Sequence, residues 1–297
     1  MSFTIATTID EAVAAMAAGA RPIAGGTDLV VSARHGKLPL PEDLVAIDRL
    51  IELSEIRPGS GGCQIGALVT HARLMMDPLL VQSYTALADA AALVGSPSTR
   101  NIGTLGGNVM NASPAMDTGA PLLVLGASAE LASPGAMRSV PLDELWTGPG
   151  STSAAEGELL VGLNLPSPSG RSGSAYVRLE YRRAMEIAVV GAAAGVTLAE
   201  GGTLASVSLA LSAVAPTILA LDGTEALAGL SPADAAAKAA VLASEQAAPI
   251  SDLRASDGYR RHCVGVMAKR AVDAACRRAA GESISVPVNR ALGIGAV

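Results

Sequence analysis

The apolar and polar positions along the chain predict short mixed elements first, an antiparallel run later and long helices last. Thr8-Ile9-Asp10-Glu11 reads as a capping box that opens a helix running to about Ala18, where Gly19 stops it. Arg21 to Ala24 reads as a strand entering a glycine turn; Thr27 or Asp28 then caps a helix ended by Gly36. Leu44 to Ile47 is a further strand, and Ser60-Gly61-Gly62 a hairpin turn before the strand Gln64 to Leu68. Helical periodicity fills Thr70 to Val94, broken at Pro78. Residues 95–114 show no period and read as one long loop, a length that in a compact domain points to function. A short helix over Asp117 to Leu125 and strands at Ala129 to Ala132, Arg138 to Val140 and Glu158 to Leu165 follow. Pro166 to Gly173 has the composition of a linker. Beyond it, Ala175 to Tyr181, Ile187 to Ala199 and Thr203 to Val214 predict three antiparallel strands, the last two joined at Glu200-Gly201-Gly202. Helices at Ser231 to Gln246 and Ser256 to Ala280 close the chain. Strands followed by helices make this an α+β protein. The expected domains are 1–170, with subdomains of about 1–55 and 56–170, and 171–297.

Two glycine pairs carry the candidate chemistry. Ala24-Gly25-Gly26-Thr27-Asp28-Leu29 and Thr104-Leu105-Gly106-Gly107-Asn108 each flank a Gly-Gly with threonine and a small amide or carboxylate. Glycine lets the main chain approach a ligand closely, and successive N–H groups in such turns form anion cradles. Two cradles facing each other could hold the diphosphate of a dinucleotide. A lone Gly-Gly is as readily a mere turn, and neither segment matches G-x-G-x-x-G or G-x-x-x-x-G-K-[ST].

Composition narrows the alternatives. Aromatic residues are 2% of the 297 residues and net charge is −6, which disfavours stacking on bases and binding of a phosphate backbone. Cys63, Cys263 and Cys276 are too dispersed for a disulfide framework or an iron–sulfur set, and His35, His71 and His262 share no metal-ligand spacing. No protein-borne metal site and no catalytic acid, base or nucleophile is expected. The first residues have no secretory pattern and no apolar run is long enough to span a bilayer, so a cytoplasmic location is expected.

The ordered set of motifs resembles the FAD-binding medium subunit of the molybdenum hydroxylases, the family of xanthine dehydrogenase and carbon monoxide dehydrogenase flavoproteins. The residues that carry the resemblance are both glycine turns, Ser96-Pro97 through Arg100-Asn101-Ile102-Gly103 leading into the second, Asn111-Ala112-Ser113-Pro114 with Asp117 after it, and Arg182-Arg183-Ala184-Met185-Glu186-Ile187-Ala188. The resemblance covers essentially the whole chain. It implies a two-lobed PCMH-type FAD-binding domain followed by an α+β C-terminal domain with a three-stranded antiparallel sheet and helices.

It further implies FAD contacts at Pro22, Ile23, Ala24, Gly25, Gly26, Thr27, Asp28 and Leu29, at Thr104, Leu105, Gly106, Gly107 and Asn108, and at Asp117, Leu160 and Arg178. Arg178 stands where relatives often carry lysine, which keeps the charge and changes its geometry. Read from the residues alone, Asp117 could equally be a helix cap, Leu160 ordinary core, and Arg178, Arg182 and Arg183 a solvated strand edge. The implied partners are a molybdopterin-containing large subunit and a small subunit with two 2Fe-2S clusters, assembled as a dimer of heterotrimers. The implied role is electron transfer from those clusters through FAD to an external acceptor. A self-contained flavoenzyme of similar architecture and a non-catalytic binding or assembly module are the alternatives.

Overall fold

The structure, a computed structural model, describes residues 2–36 and 38–294. Its first lobe is a parallel sheet of order β1-β3-β2, with β1 Ser2–Ile5, β2 Arg21–Ile23 and β3 Asp43–Ala46, and two helices, α1 Ile9–Ala17 and α2 Leu29–Arg34. The capping box forms: Thr8 Oγ1 accepts the Glu11 amide at 3.2 Å, and the Glu11 carboxylate accepts the Thr7 amide at 2.7 Å. Ala12, Val13 and Met16 of α1 turn inward onto Val45, and this small core continues into Leu68, Ala132, Leu159 and Val161 of the second lobe. β1 has no counterpart in the sequence reading. All four of its residues are exposed, so it carries no alternation to detect, and it is a strand only through its parallel pairing with β3.

The second lobe is a five-stranded antiparallel sheet of order β4-β5-β10-β6-β7, built from β4 Ile56–Gly59, β5 Gly62–Gly66, β6 Ser128–Ser133, β7 Ala136–Pro141 and β10 Leu159–Pro166; β8 Trp146–Gly148 and β9 Ser151–Thr152 form a separate ribbon. Seven short helices follow in this lobe: α3 His71–Leu74, α4 Pro78–Ser83, α5 Thr85–Leu93, α6 Pro97–Ile102, α7 Leu105–Met110, α8 Gly119–Val124 and α9 Leu142–Leu145; all but α6 share a core with Ile65, Leu131 and Leu163 of the sheet, and α6 packs on α3. The long loop expected over 95–114 is therefore mostly helical. Ser96 caps α6 through the Thr99 amide, with Pro97 as its first residue, and Thr104 caps α7.

The third unit is a four-stranded antiparallel sheet of order β11-β12-β13-β14, with β11 Arg171–Leu179, β12 Val190–Leu198, β13 Leu204–Ser212 and β14 Leu219–Ala220. Three strands were expected; the fourth pairs only two residues with β13, too few to show a period. Helices α10 Pro232–Gln246 and α11 Asp257–Ala279 pack on one face, and α12 Val288–Ala291 follows. Tyr176, Ala193 and Ala210 on the opposite face join the core of the second lobe, whereas Val177, Ala192 and Leu209 join the helices. Burial on both faces explains why β12 reads as a nearly continuous apolar run.

β11 begins inside the stretch expected as a linker, leaving 167–170 between the strands. Gly173 there marks tight packing rather than flexibility, because a Cβ on it would meet the Ala275 carbonyl of α11.

Candidate functional site

The two glycine turns meet. β2 delivers the chain into the first turn, where Gly26 takes φ +65°, a left-handed conformation that glycine adopts without strain. Gly25 lies directly on the main chain of the second segment, since a Cβ on it would meet the Ile102 carbonyl. Asn111 Nδ2 donates to Asp28 Oδ1 at 3.3 Å and ties the far sides of the turns together. Neither Thr27 nor Asp28 caps α2 with its side chain. The Asp28 carboxyl is pushed above its ordinary range by burial.

The main-chain donors of the two turns differ. Among the described residues, the N–H groups of Gly25, Gly26, Thr27 and Asp28 find no acceptor. In the second turn four of the five are taken: Leu105 donates to Val69 O at 2.9 Å, Gly106 to Ala67 O at 2.8 Å, Gly107 to Thr104 Oγ1 at 3.1 Å and Asn108 to Thr104 O at 3.0 Å, while the Thr104 N–H has no acceptor among the described residues. Gly106 is needed for close approach, since a Cβ on it would lie 2.8 Å from Ala67 O. Gly107 is exposed, and a Cβ on it would meet only Thr104 Oγ1, at 3.0 Å. Asn108 Oδ1 accepts the Thr118 hydroxyl at 2.6 Å, and its Nδ2 has no acceptor among the described residues. The picture of two equivalent cradles is thus corrected. The first turn has four successive bare N–H donors, and the second has the Thr104 N–H and the Asn108 side-chain amide.

Asp117 and Arg178 lie together, away from solvent. Asp117 Oδ2 accepts Arg178 Nη1 at 2.7 Å and Oδ1 accepts the Tyr176 hydroxyl at 2.9 Å, so Asp117 is no helix cap; Thr118 holds that position. Arg178 has no exposed surface and is not a solvated edge residue. Its Nε and Nη2 bind Glu180 at 2.9 and 2.8 Å, and Glu180 accepts Arg290 at 2.6 Å. Only a planar fork can bridge two carboxylates in this way, which is what arginine supplies and lysine does not. Burial raises the Asp117 carboxyl and Arg178 works against it; burial opposes the Arg178 charge, and Asp117, Tyr176 and Glu180 together outweigh it and keep the guanidinium ionised. Leu160 is core, paired across the sheet with Leu131.

The sequence reading missed Glu180, Tyr176 and Arg290. The signal for Glu180 was its i, i+2 spacing from Arg178, which puts both on one face of an extended chain. A concavity of about 630 Å³, lined among others by Arg57, Gln64, Ser128 and Asn164, opens elsewhere, over the central sheet. Among the described residues no cluster of histidine, cysteine, aspartate or glutamate is arranged to hold a metal ion, and no helix is long and apolar enough to cross a membrane.

The turns fit a diphosphate: a run of bare N–H donors, an unpaired side-chain amide and little side-chain bulk between them. Comparisons agree. Residues 1–168 match the family model for the FAD binding domain in molybdopterin dehydrogenase, and residues 175–275 that for the CO dehydrogenase flavoprotein C-terminal domain. The chain is 32% identical over 267 residues to the xanthine dehydrogenase FAD-binding subunit of Escherichia coli O157:H7, covering 89% of this chain and 91% of that protein. It is 34% identical over 262 residues to the carbon monoxide dehydrogenase medium chain of Afipia carboxidovorans, covering 88% and 90%. The structure superposes on a chain of reconstituted CO dehydrogenase from Oligotropha carboxidovorans with a TM-score of 0.89 at 33% identity, covering 94% of this chain and 98% of that one.

Proposed function

The chain belongs to the FAD-binding flavoprotein subunits of the molybdenum hydroxylase family, and from that premise we propose that it holds FAD at the junction of its two glycine turns and carries electrons within a larger oxidoreductase. The observation behind this reading is the run of acceptor-less N–H groups from Gly25 to Asp28, pressed against Ile102 and Gly103. These donors bind the diphosphate, and Pro22, Ile23, Ala24 and Leu29 set the path of the turn. A hydrogen bond to a charged group contributes roughly 1.5–3 kcal/mol, so three or four such bonds anchor a dinucleotide without a lysine. On the opposite side Thr104, Leu105, Gly106 and Gly107 form the wall, and Asn108 Nδ2 adds a donor. Leu160 gives apolar backing. Asp117 and Arg178 brace the flavin end, their charges matched to each other and to Glu180.

When bound, FAD supplies the means of collecting electrons singly and releasing them as a pair. The protein's part is to hold it, shield it and place it within reach of a donor. In this reading the donor is a small subunit with two 2Fe-2S clusters, itself supplied by a molybdopterin-containing large subunit. The complex is a dimer of heterotrimers in the cytoplasm, with residues 1–170 as the FAD domain and 171–297 as the C-terminal domain. The test is an absorption spectrum of the purified full chain, with and without added FAD, followed by mass spectrometry of what co-purifies. Flavin bands and co-purifying molybdenum and iron–sulfur subunits are expected. A colourless chain that takes up no FAD overturns the site; a flavin-loaded chain that oxidises an organic substrate alone overturns the subunit role.

A further inference from the structure

One polar side chain beside the two turns is buried without a partner. His71 opens α3, its N–H donates to Gly103 O at 3.1 Å, and the preceding Thr70 forms a bridge with Thr104. The residue is 2% exposed, and its Nδ1 has no hydrogen-bond partner among the described residues. The ring reaches the junction of the turns: His71 Cδ2 and Thr27 Oγ1 each lie 3.4 Å from the point a Cβ on Gly103 would occupy. His71 Cδ2, and with it the bonded Nε2, therefore lies beside Gly103 and near Thr27. Arg100, on the helix that ends at Ile102, makes one hydrogen bond among the described residues, to Val94 O at 2.9 Å, and no ion pair with them. An anion in this neighbourhood meets a cation that no carboxylate neutralises.

Resting on the reading of the turns as the FAD diphosphate site, we propose that His71 is a further cofactor-binding residue: a neutral imidazole whose Nε2–H donates to a diphosphate oxygen held by the first turn. Burial and the Arg100 charge push the His71 pKa down to about 4, so the ring carries a single proton at neutral pH. On Nδ1 that proton would be a buried donor with nothing to bind, and buried orphan donors are the rarer defect. Nε2 is the ring nitrogen bonded to the Cδ2 that lies beside Gly103.

The test uses the full chain stripped of flavin. Nitrogen-15 spectra of the imidazole are recorded before and after addition of FAD, and FAD and FMN affinities are measured by flavin fluorescence for wild type, His71→Phe and His71→Gln. The expected result is an Nε2-protonated ring whose Nε2 signal moves on FAD addition. His71→Phe should bind FAD on the order of tenfold to a hundredfold more weakly, with part of the loss recovered in His71→Gln. Affinity for FMN, which lacks the diphosphate, should be the same in all three. A proton on Nδ1, or FAD affinity in His71→Phe within about twofold of wild type, overturns the assignment, and the spectra decide it even if His71→Phe does not fold. A wild-type chain that binds no FAD is a different result: it removes the site itself.

Discussion

At Gly25 a Cβ would meet the Ile102 carbonyl, whereas at Gly107 it would meet only the Thr104 hydroxyl at 3.0 Å. The two positions therefore separate packing from binding. Gly25→Ala must push two main-chain segments apart and is expected to destabilise the protein by about 1–3 kcal/mol, read as a fall of several degrees in melting temperature. Gly107→Val is expected to melt close to wild type and to carry no FAD, because its bulk stands on the exposed side of the second turn, where this reading puts the diphosphate. Full FAD occupancy in Gly107→Val would sink the assignment of the second turn. His71 provides a residue-scale pH prediction. Its pKa is about 4 in the folded protein against 6.5 for a free side chain. Between those values the unfolded chain binds the extra proton and the folded one does not, so stability falls as pH drops from 6.5 towards 4. The loss approaches roughly 3 kcal/mol at the acid end. Melting temperatures of wild type and His71→Gln, measured across that window, should converge on acidification; parallel curves would contradict the burial of a neutral imidazole.

Short helices decide the architecture around the site, and they are where the sequence was hardest to read. α6 and α7 have six residues each, under two turns, so neither can show an apolar stripe. Their start signals were present all the same: Ser96 followed by Pro97 is a cap with proline at the first helical position, and Thr104 stands three residues before the amide it accepts. The Gly-Gly pair concealed α7, because glycine is a poor helix former and reads as a turn. The long elements α10 and α11 and the strands β11, β12 and β13 were legible because they exceed one period of their pattern, apart from the early start of β11; the two-residue β14 was not. The location of the first turn was also legible, but which turn keeps its donors free was not, since that depends on Ala67 and Val69 arriving from β5's far end. The cap itself is testable. Thr104→Ala removes the acceptor of the Gly107 amide and is expected to cost about 1 kcal/mol of stability. FAD should be retained more weakly, and Thr104→Ser should restore both. Equal FAD affinity in all three proteins would show that the wall does not depend on its cap.

At the scale of the molecule, the second lobe and the third sheet are joined through two buried carboxylates that meet one strand. Asp89 on α5 accepts the Tyr176 amide at 3.2 Å and the Val288 amide at 2.9 Å, and receives both Arg278 nitrogens at 2.6 and 3.0 Å. Asp117 accepts the hydroxyl of the same tyrosine and the Arg178 guanidinium. Each carboxylate belongs to the second lobe and each arginine to the third unit, so neither surface can be buried without the other. Asp89 has no exposed surface, and burial pushes its carboxyl upward against the pull of Arg278. Removing one partner leaves a buried charge uncompensated, at a cost of about 3–5 kcal/mol. Asp89→Ala also orphans the two amides, so it should be the more damaging of the single changes. Arg278→Ala leaves Asp89 with two amide donors and should destabilise less. If the pair is a true docking contact, the double variant should be well short of the sum of the two, because once either charge is gone the other is a liability rather than a loss. The measurement is a double-mutant cycle by chemical denaturation, with FAD content followed in parallel. Because Tyr176 links Asp89 to Asp117 and so to the bracing at Arg178, flavin should be released from Asp89→Ala at lower denaturant than from wild type. Strict additivity, or flavin release unmoved while unfolding shifts, would show that the two pins act separately and that the docking of the third sheet plays no part in holding the cofactor.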